Sequence, residues 1–214
     1  NIKIIKMRDA LIVSTARTPL GKSYRGAFNN TTAPTMAGWA IEEAVKRSGV
    51  DPNKVDDVIM GAALQQGTSH GNIARNAALA AGLPVTVSGM SVDRQCSSGM
   101  MAISTAAKQI ITDGMDIVVG GGLDSISLVQ TQKMNLDRYV DKKLVAKHNH
   151  IYMPMLQTAE VVAKRYKISR EDQDQYALES QIKTANGQDE GKFDDEIISV
   201  TTSMGIMDKE TKEV

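Results

Sequence analysis

The single cysteine of the 214-residue chain, Cys96, is the side chain best suited to covalent chemistry. A cysteine thiolate is a strong nucleophile and can carry an acyl group as a thioester. The residues that follow, Ser97 to Gly99, are small, so a ligand could approach the backbone closely and the N–H groups of this segment could bind an oxyanion. The alternative is a structural cysteine buried beside an ordinary helix cap, because free cysteine is among the most buried residue types. Residue types and spacing alone leave both interpretations open.

The residues on either side predict that Cys96 lies in a turn between a strand and a helix. Residues 87–92 form a short, β-rich segment that predicts a strand. A helix is predicted after Cys96 and ends near Gly114, because apolar residues recur there at helical spacing. These residues are Met100, Ile103, Ala107, Ile110 and Ile111. The amino terminus of a helix carries a partial positive charge that favours a thiolate, so the position predicts a reactive cysteine.

Strand-like apolar runs alternate with helical segments over the first 125 residues. One amphipathic helix is predicted between Pro34 and Gly49, and a second, rich in alanine, ends at Gly82. This alternation favours a layered α/β fold with a mixed, largely parallel sheet and helices on both faces. The predicted strands cover residues 10–14, 55–62, 87–92 and 116–120.

The pattern changes after residue 125. Residues 128–152 are polar and show no clear periodicity, which indicates an excursion or insertion. A helix is predicted from Thr158, a second one is predicted after a capping box that begins at Ser169, and residues 193–200 end in a strand pattern. We therefore predict two domains, an α/β domain over 1–125 and an inserted, partly α-helical loop domain over 126–214.

Composition argues against several classes of protein. The 25 basic and 25 acidic residues give a formal net charge of zero, so no basic surplus indicates a nucleic acid or a membrane surface as partner. The amino end, residues 1–8, is too short and too charged for a signal peptide, and a single cysteine fits a reducing compartment. Neither a P-loop nor metal-ligand spacing is found, so no metal is predicted. We expect a cytoplasmic protein.

Four segments, taken in order, resemble the thiolase family, in particular its acetyl-CoA acetyltransferases. Gln95 stands where the family more often has asparagine, and Asp124 stands where its Gly-Gly-x-Glu-Ser signature has glutamate. The resemblance covers nearly the whole chain from Ala10 onward. It implies the thiolase-like layered α/β fold with an inserted loop domain. The four segments are residues 93–99, 121–127, 169–174 and 191–197.

The resemblance implies that Cys96 is the nucleophile of a reversible acyl transfer between acyl-CoA thioesters. The reaction would cleave a 3-ketoacyl-CoA or, in reverse, join two acetyl-CoA molecules in a Claisen condensation, with short acyl chains favoured and a place in fatty acid metabolism. Coenzyme A would be substrate and product, with no permanently bound cofactor. Met155 falls where the family has a methionine that lines the acyl pocket; the alternative is a core methionine. A homodimer or homotetramer is also implied.

Thiolases consist of two related halves, and this sequence resembles the amino-terminal half with most of the loop domain. The other half of the family carries a histidine that activates the nucleophile and a second cysteine that acts as acid and base. We therefore expect activity only with a complementary C-terminal half. Two alternatives are a ketoacyl synthase relative, which would lack the segment 158–196, and a non-catalytic half-domain that binds acyl-CoA or a partner chain.

Overall fold

A computed structural model describes residues 8–206, which form two compact units. The first unit contains residues 8–134 and 196–206, and the second contains residues 135–195. The segments 1–7 and 207–214, and with them most of the amino end considered above as a signal peptide, lie outside the described residues. Compactness does not decide which segment is an insertion, so the domains predicted over 1–125 and 126–214 stay a prediction.

Three parallel strands form the sheet of the first unit, and the strand that comes first in the chain lies between the other two. The register places the last residues of the strands, Gly61, Val92 and Gly122, side by side, so all three carboxyl ends meet at one edge. Three of the predicted strands are therefore confirmed, the last one shifted by two residues. The strands are β1 (Asp57–Gly61), β2 (Ser88–Val92) and β3 (Val118–Gly122).

Helices cover both faces of this sheet, as predicted. Val58 and Met60 of the central strand pack in one core with α1 (Ala33–Ser48) and α2 (Ile73–Ala80), whereas Ile59, which points to the opposite face, packs with α3 (Ser98–Lys108). Helix α1 ends at Gly49, whose φ of 68° is the left-handed conformation expected after a helix. The helices of this unit are α1 (Ala33–Ser48), α2 (Ile73–Ala80), α3 (Ser98–Lys108), which continues in a π-turn (Gln109–Asp113), and the short α4 (Ile126–Val129).

The buried face of α3 consists of small residues. Its buried residues are the small Ser98, Ala102 and Ala106, spaced four apart. Met100 and Ile103, two of the apolar residues whose helical spacing predicted the helix, are 77% and 47% exposed. The helix backbone approaches the sheet so closely that only small side chains fit between them. Large apolar residues on this helix therefore lie away from the sheet.

Two predicted strands are wrong. Residues 10–14 form no strand among the described residues, and the side chains of Leu11, Ile12 and Val13 are 72–79% exposed. A buried parallel strand needs neighbours on both sides, and this run has no β-partner in the part of the chain that is described. Residues 193–200 form turns and a single bridge in which Ile197 pairs with Arg17.

The second unit is helical. Its long helix α7 begins with the predicted capping box, in which the Ser169 and Asp172 side chains bind each other's backbone N–H groups. Gly187 is buried, and a Cβ on it would lie 3.1 Å from the Phe193 ring. Within residues 8–206, no helix combines the length and apolar character needed to cross a membrane. The helices of this unit are α5 (Lys142–Lys147), α6 (Met155–Tyr166) and α7 (Arg170–Asp189).

Candidate active site

Cys96 lies in the turn that joins β2 to α3, as the sequence predicted. The strand ends at Val92 and the helix begins at Ser98, so the cysteine is two residues before the helix. Its side chain is exposed, which is the opposite of the buried structural cysteine considered above. The exposed thiol is therefore open to a ligand, and its role as nucleophile remains a prediction.

The turn holds its shape through a strained residue and a set of short hydrogen bonds. Gln95 has a φ of 49°, the left-handed region that a side chain rarely adopts without support. The Gln95 N–H donates to the Asp93 carboxylate at 2.7 Å, and the Ser97 N–H donates to the Arg94 carbonyl at 3.1 Å. These bonds fix the backbone immediately before and after Cys96.

Ser98 adds two hydrogen bonds from a buried position. Its hydroxyl donates to the Gln95 carbonyl at 2.6 Å and accepts from the Arg94 N–H at 2.9 Å. The residue is 4% exposed, and both bonds are partly buried because they reach the exposed residues Arg94 and Gln95. In the sequence, Ser98 stands out only as a small residue, and its position two residues after the cysteine gives no separate signal.

The backbone N–H groups near Cys96 are only partly available to a ligand. Those of Ser97 and Ser98 donate to the carbonyls of Arg94 and Gln95, at 3.1 and 3.0 Å. The prediction that they bind an oxyanion is therefore wrong for these two groups. Gly99 lies in the first turn of α3, where helical N–H groups have no intrahelical acceptor, and for it the prediction stands.

Two strand-end glycines allow α3 to begin directly on the sheet. A Cβ on Gly61 would lie 2.1 Å from the Ser98 carbonyl carbon, and a Cβ on Gly122 would lie 2.9 Å from the Gly99 Cα. Real side chains do not tolerate such distances from backbone atoms. Glycine at the ends of β1 and β3 is therefore what places the amino end of α3, and the cysteine before it, at the carboxyl edge of the sheet.

Asp124 connects the ends of β1 and β3. Its carboxylate accepts hydrogen bonds from the Leu64 N–H at 3.0 Å and the Ala63 N–H at 3.3 Å, in the loop after β1. Next to it, the Leu123 N–H donates to the Gly61 carbonyl at 3.0 Å. From the sequence, Asp124 is known only as part of a family signature. A carboxylate directly after a strand indicates a polar group at the edge of the sheet, but it does not identify the N–H groups that this carboxylate binds.

Met155 is the first residue of α6 in the second unit. Its side chain is 73% exposed, which does not fit a core methionine, so its thioether is open to a ligand or another segment. A role in an acyl pocket stays a prediction. Residues 8–206 contain no group of three or more His, Cys, Asp or Glu side chains arranged to hold a metal.

Comparison with known proteins decides the family. The model of the thiolase N-terminal domain matches residues 10–213. The chain belongs to the thiolase family. A 3-ketoacyl-CoA thiolase of Bacillus subtilis is 39% identical over 198 residues, which is 92% of this chain and 50% of that protein. An acetyl-CoA acetyltransferase of Cupriavidus necator is 40% identical over 206 residues, 91% of this chain and 51% of that protein.

A solved structure supports the same assignment for the thiolase fold. The crystal structure of the Bacillus anthracis acetyl-CoA acetyltransferase matches with a TM-score of 0.78 and 37% identity, over 90% of this chain and 50% of that one. The predicted family and the thiolase-like α/β fold are thereby confirmed. The chain spans about half the length of these thiolase relatives.

Proposed function

We propose that this chain forms the nucleophile-bearing half of a thiolase that transfers acyl groups between acyl-CoA thioesters through Cys96. The observation that carries the proposal is the exposed thiol of Cys96, placed immediately before α3 at the carboxyl edge of a parallel sheet. Ligand sites of open α/β sheets lie outside this edge. Relatives named 3-ketoacyl-CoA thiolase and acetyl-CoA acetyltransferase support this reaction class.

In the first half-reaction the Cys96 thiolate attacks the carbonyl carbon of an acyl-CoA. The new carbon–sulfur bond forms to Sγ, the bond to the coenzyme A sulfur breaks, and that sulfur leaves as a thiolate and takes up a proton. The exposed sulfur, two residues before α3, is open to the incoming carbonyl group. The acyl group is then held as a thioester.

In the second half-reaction the acyl group passes to an acceptor. During condensation a second acetyl-CoA loses a proton from its methyl group, and the resulting carbanion attacks the thioester carbon and releases the Cys96 thiolate. During cleavage of a 3-ketoacyl-CoA the same steps run backwards, and coenzyme A finally receives the acyl group. Splitting the exchange in two predicts ping-pong kinetics.

We propose that the groups that move the protons belong to a complementary C-terminal half. In the experiments below, the full-length protein means this chain together with that half. The chain contains one cysteine, which cannot serve at the same time as nucleophile and as proton shuttle. The relatives are about twice as long as the matched region, which leaves room for such a half. Coenzyme A acts as substrate and product.

We further propose that Met155 contacts the acyl group of the substrate. The exposed thioether is soft and adaptable, which suits a short apolar acyl chain. Met155→Ala should change the ratio of kcat/KM between acetoacetyl-CoA and a longer 3-ketoacyl-CoA by about tenfold, and Met155→Leu, of similar volume, should change it far less. Equal ratios in the wild type and Met155→Ala would remove this role.

The working state proposed for the protein is a cytoplasmic homodimer or homotetramer that takes part in fatty acid metabolism. The single cysteine, which needs a reducing environment to stay free, supports this location. Light scattering on the full-length protein tests the oligomeric state, and cell fractionation tests the location. A stable monomer would contradict the proposed oligomer, and a protein recovered in a membrane-enclosed compartment would contradict the proposed location.

Steady-state kinetics test the proposed reaction. The full-length protein should cleave acetoacetyl-CoA in the presence of coenzyme A and give parallel lines in double-reciprocal plots at several coenzyme A concentrations. Cys96→Ser should lose at least about a thousandfold in kcat, because a serine hydroxyl is hardly ionised at neutral pH. A Cys96→Ser protein that retains most of its activity would exclude Cys96 as the nucleophile.

A further inference from the structure

We propose that Ser98 is a positioning residue for Cys96, and that its hydroxyl sets the reactivity of the thiol by holding the turn closed. The hydroxyl contacts the two residues that immediately precede the cysteine. It donates to the Gln95 carbonyl at 2.6 Å and accepts from the Arg94 N–H at 2.9 Å. The inference about turnover depends on the proposed function, whereas the inference about thiol reactivity does not.

Ser98 can act as a clamp because its own position is fixed. Its backbone lies against Gly61, where no Cβ would fit, and the residue is 4% exposed. It is also the first residue of α3, whose Ala102 and Ala106 are buried against the sheet. The hydroxyl therefore connects a rigid part of the fold to the exposed turn that carries the thiol.

The turn needs such a clamp because Gln95 is held at a φ of 49°. A residue with a side chain leaves this region when the surrounding bonds are removed. Without the Ser98 hydroxyl the Arg94 N–H loses its bond to Oγ, and the Gln95 carbonyl keeps only its bond from the Ser98 N–H. The bond from the Gln95 N–H to Asp93 is exposed and remains.

A released turn would move Sγ away from the start of α3. The sulfur would then occupy a wider range of positions, and its distance from the first residues of α3 and its orientation towards an incoming reagent would no longer be fixed. The thiolate is the form that attacks a carbonyl or an alkylating reagent. The reactivity of Cys96 should therefore depend on a hydroxyl that never touches the substrate.

The neighbouring serine offers a matched control. Ser97 is exposed, and its side chain makes no capping hydrogen bond to α3. Ser97→Ala also removes a serine hydroxyl, one residue closer to the cysteine, and should leave the turn closed. Ser98→Ala removes the clamp, and Ser98→Thr keeps a hydroxyl at the same position.

The first measurement is the rate at which iodoacetamide alkylates Cys96 in the folded chain at pH 7, followed by intact mass. Ser98→Ala should react about tenfold more slowly than the wild type, which corresponds to the loss of one good hydrogen bond. Ser97→Ala should stay within about twofold of the wild type, and Ser98→Thr should react faster than Ser98→Ala. Fluorescence of Trp39, the single tryptophan, shows that each variant is folded.

The second measurement is turnover of the full-length protein with acetoacetyl-CoA. Ser98→Ala should lower kcat about as much as it lowers the alkylation rate, with KM nearly unchanged, because the hydroxyl is on a buried residue and acts through the turn. A merely structural role would lower the unfolding midpoint and leave both rates of the folded protein unchanged.

Folded Ser98→Ala that is alkylated at the wild-type rate overturns the proposal. If Ser98→Ala does not fold, Arg94→Pro decides, because it removes the N–H that donates to the Ser98 hydroxyl from an exposed residue and leaves the buried serine in place. Slower alkylation of Arg94→Pro than of Arg94→Ala, which keeps the N–H, then supports the clamp, and equal rates contradict it. Slower alkylation of Ser98→Ala in a protein that never transfers an acyl group would reject the proposed function and keep this inference.

Discussion

Replacing Gly61 with alanine tests whether the start of α3 is seated directly on the sheet. The added Cβ would lie 2.1 Å from the carbonyl carbon of Ser98, 2.2 Å from its oxygen and 2.5 Å from the Gly99 nitrogen. Ordinary contacts of a Cβ begin near 3.4 Å, so the overlap exceeds an ångström. All three atoms belong to the backbone, and no rotation of a side chain relieves the clash.

The cost follows from overpacking in a closely packed region. Inserted methyl groups in well-packed cores cost about 1–3 kcal/mol, and a clash with backbone belongs at the upper end, so we expect Gly61→Ala to lose roughly 3 kcal/mol of unfolding free energy. The control is Gly121→Ala in the neighbouring strand, where the Cβ would lie 3.3 Å from the Met60 sulfur. A flexible thioether can move, so this variant should lose about 1 kcal/mol or less.

Urea unfolding followed by Trp39 fluorescence measures both variants. Trp39 lies on α1 in the same unit as Gly61, and its ring contacts Phe28 at a centroid distance of 6.4 Å. The two variants should differ by at least about 1.5 kcal/mol. Gly61→Ala within about 0.5 kcal/mol of the wild type would refute the argument that glycine is required there.

Three further predictions concern side chains whose hydrogen bonds are defined. Asp124→Asn should lower the free energy of unfolding in urea by about 1–2 kcal/mol, because the loop after β1 loses a charged acceptor of two N–H groups. The control, Asp137→Asn at an exposed position in the second unit, should change it by almost nothing, and equal losses in the two variants would contradict this. The Asn53 backbone N–H bound to Asp51 keeps the pKa of Asp51 below its usual 3.8, so this carboxylate stabilises the folded state above that pH and the contribution disappears as the pH falls lower. Asp51→Asn should therefore make the urea midpoint depend less on pH between pH 5 and 3, and an unchanged pH dependence would contradict this. Ser169→Ala should destabilise α7 by about 1 kcal/mol through the lost capping box, seen as faster amide exchange at the helix start, and unchanged exchange would count against it.

Local sequence signals were sufficient where a residue determines its own backbone. Gly49 ends α1 in the left-handed conformation, and Ser169 caps α7 with Asp172 as partner. The alternation of strand and helix also predicted the sheet, because short apolar runs such as 58–60 are buried on both faces. The turn that carries Cys96 followed from these elements.

The failures concern contacts that depend on distant residues. The apolar run at 10–14 has the composition of a strand, but β-pairing needs a partner that the described residues do not supply. Met100 and Ile103 follow helical spacing, yet the approach of α3 to Gly61 and Gly122 leaves room only for small residues. No pattern in the sequence reveals how closely two backbones approach each other.

The hydrogen bonds of the candidate site were also invisible from the sequence. In the sequence, Ser98 and Asp124 belong to segments that resemble the family. Only the structure shows that the Ser98 hydroxyl is hydrogen-bonded to both residues before Cys96, and that the Asp124 carboxylate accepts hydrogen bonds from the loop after β1. Side-chain bonds to the backbone of another segment depend on the orientation of both. They follow from the fold and are not encoded by spacing.

Detection of the acyl group on Cys96 tests the central claim most directly. The full-length protein is mixed with acetyl-CoA, quenched in acid within seconds and digested, and the peptide that contains Cys96 is examined by mass spectrometry, with Cys96→Ala as the control. We expect one acetyl group on this peptide, removed by added coenzyme A, and none on the corresponding peptide of Cys96→Ala. An acetyl group on a different residue, or turnover of substrate without any adduct on Cys96, would contradict the account.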